Sequence, residues 1–199
     1  MTDAGPTKGA RTRAKLTAAT AALLQRQGYH ATGLAEIVAA SGAPRGSLYF
    51  HFPDGKEALA CAALAESGAA WRARLEAVIA RAPDLGAAIT AACDELAGAL
   101  AASDFRDGCP LATVALEAAA TSEAVRATVA ASYDAWLASI AARIVALGAP
   151  ADVAARLATF TLAAIEGAMM LAKVQRSVAP LTEVATTLRL LAAALAPGR

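Results

Sequence analysis

Histidine is nearly missing from this chain. Only His30 and His51 occur in 199 residues, and both fall within the first 60. The long remainder has no imidazole to offer as general base or metal ligand. No Ser/His/Asp set, phosphate-cradling glycine loop or metal-ligand spacing occurs, so neither an enzyme nor a bound cofactor or metal is expected. Cysteine is also scarce: Cys61, Cys93 and Cys109 are odd in number and lack metal spacing, which argues against a disulfide frame. Aromatic residues make up 5% and β-branched residues are sparse, while apolar residues reach 57%, largely as alanine. Alanine is the strongest helix former, so the expected fold class is all-α. Uncharged runs are short, the longest being Leu16 to Gln25, against the roughly 20 apolar residues of a membrane span. The N-terminus has no apolar signal segment, and the expectation is a soluble, cytoplasmic chain with no membrane partner.

Charge is present but unevenly spread. The net charge is only +1, yet residues 1 to 60 hold seven Lys/Arg against four Asp/Glu, and residues 61 to 199 hold eleven against thirteen. Lys8, Arg11, Arg13 and Lys15 crowd the start. A small basic head on a near-neutral body is the footprint of a phosphate-binding module.

The stretch Thr32 to Leu59, TGLAEIVAASGAPRGSLYFHFPDGKEAL, carries the most information. Leu34, Ile37 and Val38 have the spacing of one buried helical face. Gly33 is placed as N-cap with Glu36 three residues on, a weak capping-box pattern. Ser41-Gly42 breaks that helix, with Gly42 supplying a left-handed turn. Pro44 fits the first turn of a second helix, where a missing N–H costs nothing. Leu48 and Phe52, four apart, give this short helix its inward stripe. Arg45, Gly46, Ser47, Tyr49, Phe50 and His51 are left facing mostly outward, more aromatic surface than one short helix buries.

Punctuation along the rest of the chain predicts about nine helices. The first runs from about Gly9 to Gln27, with Leu16, Ala19, Leu23 and Leu24 inward and Gly28 as its stop. The fourth runs from about Asp54 to Arg81, the fifth from Pro83 to about Ser103, and the sixth follows Cys109-Pro110. Thr121-Ser122-Glu123 caps a seventh that reaches about Leu147, the eighth spans Ala151 to about Gln175, and the ninth opens at Pro180 and fades at Pro197-Gly198. Residues 1 to 7 are polar, with Gly5 and Pro6, and are expected to lack regular structure. The domain division expected is 1–54 for the tail and helix-turn-helix head, and 55–199 for the body.

The SGAPRGSLY turn and helix, the Tyr49 to Phe52 cluster, Thr32, and Lys56-Glu57 followed by Leu59 resemble, as a set, the DNA-binding domain of the TetR/AcrR family of transcriptional regulators. The likeness covers roughly residues 10 to 60. Ala43-Pro44 departs from the family's usual Val-Ser and removes a hydroxyl. The GCPLATVALEAA stretch at 108 to 119 resembles the LmrA/YxaF-like subgroup, whose regulators respond to drug-like or plant-type aromatic compounds.

The resemblance implies a one-component regulator, taken as a repressor, that binds double-stranded operator DNA as a homodimer and responds to a small-molecule effector. It marks Thr32, Tyr49, His51 and Lys56 as phosphate contacts. Arg45 is the best base reader, since a guanidinium can fork onto guanine O6 and N7. Gly46 permits close backbone approach, Ser47 can bond base or phosphate, and Phe50 can touch a thymine methyl. Competing readings stay open: a half-buried structural aromatic for Tyr49, a local cap for His51, a plain surface aromatic for Phe50, a solvated helix-start lysine for Lys56. The basic N-terminal run either follows the minor groove or is solvated tail.

For the body, Leu157, Ile165, Ala168, Ala172, Leu188, Leu191 and Leu195 on the last two helices are expected at a dimer face, with protomer core as the competing reading. Trp71, Leu96, Phe105, Val114, Glu117, Tyr133, Trp136, Phe160, Glu166 and Met170 are expected around an effector pocket, or else simply in the core. The resemblance also implies that the long fourth helix carries the effector's signal to the head. Two further readings remain: a redox-responsive regulator through Cys109, which sits at a helix start, and an activator rather than a repressor.

Overall fold

The computed structural model describes Gly5 and residues 7–195, with Leu195 described by its backbone alone. Among the described residues there are nine α-helices and no strand. They are α1 (Lys8–Ala31), α2 (Leu34–Ser41), α3 (Arg45–His51), α4 (Gly55–Ile79), α5 (Leu85–Ala102), α6 (Pro110–Ala118), α7 (Glu123–Ala146), α8 (Ala151–Gln175) and α9 (Ala179–Leu195). The expectation for residues 1–4 and 6 lies outside the described residues.

Local chemistry sets the helix ends. The Thr7 hydroxyl accepts from the Ala10 N–H at 3.2 Å and Asp84 accepts from Ala87 at 2.7 Å, each satisfying a donor the first turn leaves open. Ser122 does the same for Val125 at 3.1 Å and starts α7. Gly28 does not end α1 as expected; it breaks it, at φ 82°, and Tyr29 to Ala31 continue as a further helical turn. Gly33 is the N-cap of α2 but makes no side-chain cap. Glu36, expected to reach back to it, instead accepts from Gln27 at 2.8 Å.

The helices fall into two compact units. The first holds the chain up to Gly68 together with Pro110–Ala130, so α6 and the start of α7 belong with the head. That grouping differs from the division expected at residues 54/55. Its core is Leu16, Ile37, Ala43, Leu48, Phe52 and Leu59, with Leu23, Leu34 and Val38 packed against it. Helices α1, α2 and α3 pack together, and α6 lies along α1. Two threonines inside α1, Thr17 and Thr20, are buried too. Their hydroxyls donate to carbonyls of the preceding turn, Thr20 to Leu16 at 2.8 Å, so burial leaves no unmet donor.

The second unit holds Ala69–Cys109 and the chain from Ala131 on. Helix α5 packs against α8 and α9. One apolar cluster contains Leu96, Leu100, Ala168, Ala172 and Leu181, with Trp71, Phe105 and Ile165 against it; a second contains Ile89, Cys93, Ala185 and Leu188. Arg143 from α7 donates to the carbonyls of Ile79 (3.1 Å) and Ala82 (2.7 Å), capping the last turn of α4. Asp104 and Phe105 adopt left-handed backbone, φ 54° and 57°, and this turn carries the Phe105 ring into the first cluster.

By length and composition alone, α5, α7 and α8 are apolar enough to cross a bilayer, which the expectation from uncharged runs did not foresee. Alanine is the reason, since it scores as apolar while adding only a methyl. Asp94 and Glu95 interrupt α5, and Glu166 interrupts α8.

Candidate nucleic-acid interface

Seven residues make α3, and their division into two faces is the core of the site. Gly42 turns the chain in left-handed conformation (φ 61°) and Pro44, at φ −59°, caps the new helix. The Ser41 hydroxyl accepts from Ala43 N–H at 3.2 Å and donates to Val38 at 3.0 Å, which holds the turn rigid. Ala43 is itself buried in the head core. Leu48 and Phe52 face inward and are buried. The opposite face is exposed: Arg45, Gly46, Tyr49 at 56% and Phe50 at 80% of their surface. Ser47 and His51 are half-buried at its edge, and the Phe50 ring meets the His51 ring edge-on at 5.0 Å. Leaving Phe50 in water forfeits roughly 2 kcal/mol of burial, and α3 has no acidic residue. A short, acid-free helix displaying guanidinium, hydroxyl and aromatic groups has the dimensions and chemistry for a major groove.

The flanking cations are not all alike. Lys8, Arg11 and Lys15 are exposed along α1. Arg13 is tied into the head, its guanidinium 5.2 Å above the Phe52 ring and 2.9 Å from Glu66. Lys56 is half-buried, with its ammonium 4.4 Å from the Tyr29 ring centre. Burial pulls that ammonium below lysine's ordinary range, while the Glu117 carboxylate works against the shift. Burial, and then Glu57 and Cys61, push the Tyr29 phenol upward.

Thr32 requires a correction. It is 0% exposed, and its hydroxyl donates to the Gly28 carbonyl at 2.7 Å. The side chain expected to meet phosphate therefore closes the corner between α1 and α2.

The residues expected around an effector pocket separate into four places. Trp71, Leu96 and Phe105 meet in the body's apolar cluster. Tyr133, Trp136 and Glu166 gather near Cys109: the Tyr133 and Trp136 rings meet edge-on at 5.8 Å, and the Cys109 thiol is in hydrogen-bond reach of both Tyr133 and Glu166. Burial raises the Glu166 carboxyl, which the Cys109 hydrogen bond partly offsets. Burial, followed by Cys109 and Glu166, pushes the Tyr133 phenol far above its ordinary range. Phe160 and Met170 are corrections, being 51% and 60% exposed on the outer side of α8. Val114 and Glu117 lie on α6, which groups with the head unit: Val114 is buried, and Glu117 bonds the end of α1.

The dimer-face expectation needs a similar revision. Ala168, Ala172 and Leu188 are buried within the protomer, and Ile165 packs beside them. Leu157 is half-buried and Leu191 is exposed; the Leu195 side chain lies outside the described residues. The outward apolar side of α8 is Phe160, Met170, Leu171 and Val174, and α9 exposes Leu190 and Leu191. Alanine misled the reading, since it marks close helix packing as readily as an interface. Cys93 is a buried packing residue whose thiol burial pushes up to about 11.

Sequence reasoning missed the Glu117–His30 contact altogether. Its trace was Gly28, read only as a helix stop.

Comparison with known proteins agrees with this geometry. Residues 16–63 match the family described as bacterial regulatory proteins, tetR family, and residues 86–187 match the LmrA/YxaF-like transcriptional regulator C-terminal domain. An HTH-type transcriptional regulator of Mycobacterium tuberculosis is 36% identical over 94% of this chain and 97% of its own length. The HTH-type transcriptional regulator LmrA of Bacillus subtilis is 32% identical over 87% of this chain and 93% of its own. Among solved structures, a TetR transcriptional regulator from Chloroflexus aurantiacus superposes with a TM-score of 0.76 at 31% identity, covering 92% of this chain and 94% of that one. With the buried Leu48–Phe52 stripe, the open Arg45–Phe50 face and these matches along nearly its whole length, the chain belongs to the TetR family of bacterial helix-turn-helix transcriptional regulators.

Proposed function

We propose that the protein is a one-component repressor that binds a pseudo-palindromic duplex as a homodimer and is released by a small apolar or aromatic ligand. The observation that carries the DNA-binding step is the exposed face of α3, held by buried Leu48 and Phe52. Arg45 reads a base edge, Ser47 and Phe50 line the groove, and Tyr49, His51 and Lys56 serve the phosphates. Base contacts set sequence preference while phosphate contacts set affinity and its salt dependence.

The outer apolar residues of α8 and α9, Phe160, Leu171, Val174, Leu190 and Leu191, support a homodimer, because so many large apolar side chains are costly to leave in water. Two heads on a two-fold axis would read half-sites roughly 34–36 Å apart. For the effector, the support is the Tyr133–Trp136–Glu166 group beside Cys109, a few polar groups set among apolar ones. The chain passes from the first unit to the second within α4, so a ligand that favours a displaced α4 would alter head spacing. Such a ligand must prefer the DNA-incompetent state, since equal affinity shifts nothing. The protein would act in the cytoplasm, where its DNA lies.

The test is selection of duplexes from a random-sequence pool at low ionic strength. Enrichment of an inverted-repeat sequence is expected, and a pool that stays random defeats the proposal. A reporter placed under the enriched sequence then separates repression from activation.

A further inference from the structure

The head unit contains a charged contact, between residues far apart in sequence, that DNA binding does not explain. Glu117, in the last turn of α6, lies against the break in α1. Its Oε2 accepts from the His30 N–H at 2.9 Å. The His30 Nε2 is in turn 3.3 Å from the Glu117 carbonyl, so the tautomer with its proton there caps the end of α6. Two residues 87 apart in sequence thus clasp each other through four groups.

Glycine at position 28 makes the seat. A Cβ there would lie 1.9 Å from Glu117 Oε1 and 2.6 Å from its Cδ. The φ of 82° independently excludes most other residues. The carboxylate therefore rests directly on the Gly28 backbone, in a space that any other residue would fill. Its charge also favours the protonated form of the Lys56 ammonium, which stands over Tyr29.

This corner positions the DNA-reading helices. Gln27 bonds both the Ala31 carbonyl (3.1 Å) and Glu36 of α2 (2.8 Å), and Thr32 bonds Gly28 across the same turn. The direction in which α2 leaves this corner sets where the Gly42 turn delivers α3. Glu117 brings α6 into this corner, and Lys56 of α4 stands over Tyr29 beside it. Helix α6 begins immediately after Cys109, the residue beside Tyr133 and Glu166 in the other unit.

We propose that Glu117 is a positioning residue for DNA binding: it fixes the α1–α2 corner that aims α3, so that α6 sets how well the head reads a duplex without touching it. This rests on the reading of α3 as the DNA-reading helix. Two conservative variants test the acceptor role of this carboxylate. Glu117→Asp keeps the charge but withdraws it from His30 by one methylene. Glu117→Gln keeps an acceptor oxygen for His30 but removes the charge.

The experiment uses the full chain, a duplex enriched by the wild type from a random pool, and a scrambled duplex of equal length. Affinities are measured across a salt series, with a thermal melt for each variant. Glu117→Asp is expected to lower the enriched-to-scrambled affinity ratio on the order of tenfold, the value of one charge-assisted hydrogen bond, with an unchanged salt slope. Glu117→Gln is expected to keep that ratio within about twofold, because an acceptor oxygen for the His30 N–H remains. Wild-type behaviour of both variants in both readouts overturns the proposal. So does loss of affinity for both duplexes in parallel with a lowered melting temperature, which is what a merely structural role predicts. If the wild type enriches no duplex, the DNA-reading assignment of α3 fails first, and that outcome is visible before any variant is made.

Discussion

The head and the body use the same kinds of side chain in opposite ways. On α3, Tyr49 and Phe50 stand in water above a buried aliphatic stripe. In the body, Trp136 is buried and meets Tyr133 edge-on, with the ionisable Glu166 carboxyl drawn inward with them. Aromatic surface left in water is a cost that folding alone would not retain, so it points to a partner outside the chain. A carboxyl drawn toward apolar neighbours is also a cost, which here raises its proton affinity. The head leaves aromatic side chains on its surface, whereas the body packs Trp136 inward against Tyr133.

The sharpest way to break this comparison is within one short helix. Phe52→Ala empties the head core and should cost about 3–5 kcal/mol in urea denaturation. Phe50→Ala, two residues earlier, should change stability by no more than about 0.5 kcal/mol while weakening binding to the enriched duplex. Equal destabilisation by both would mean that α3 has no free face.

Gly28→Ala comes next. It forces a side chain into left-handed backbone and onto the Glu117 carboxylate, and should destabilise by about 2 kcal/mol or more. A melting temperature equal to wild type would remove the seat described above. Arg45→Ala should cost about 1–3 kcal/mol on the enriched duplex and relax preference at one position. Equal losses on enriched and scrambled duplexes would show a phosphate contact instead.

Lys56→Ala should weaken enriched and scrambled duplexes alike, and lower the salt slope by less than about 0.9, because Tyr29 and Glu117 already engage its charge. The smallest effect concerns Glu166. Burial raises its folded-state pKa above the unfolded value, so the native state holds the extra proton and stability falls as pH rises through that window. Glu166→Gln should therefore melt above wild type at pH 8, with the gap closing as pH falls below the ordinary glutamate range. A gap that is constant with pH would show that the carboxyl is not titrating differently on folding.

Much of the head was legible because its signals are local. Gly42 and Pro44 determine a turn by their own backbone preferences, and the four-residue step from Leu48 to Phe52 determines a face. Thr32 was misread because nothing nearby in sequence shows that its hydroxyl will find the Gly28 carbonyl. The body was less legible because alanine carries little information: Ala168 and Ala172 fit an interface and a close helix contact equally well, and the exposed side of α8 proved to hold Phe160 and Met170 instead. The contact of Glu117 with the end of α1 was not legible for a related reason. Its apolar neighbours on α6 indicate burial but cannot say against which helix.

The sequence by itself determined the all-α class, the helix breaks and the two faces of α3, since propensity, capping and periodicity act over a few residues. Tertiary structure alone decided that α6 lies on α1, that Glu117 sits on Gly28, and which sides of α8 and α9 face water. Those outcomes depend on groups up to 87 positions apart meeting in space, and short-range patterns carry no record of such meetings.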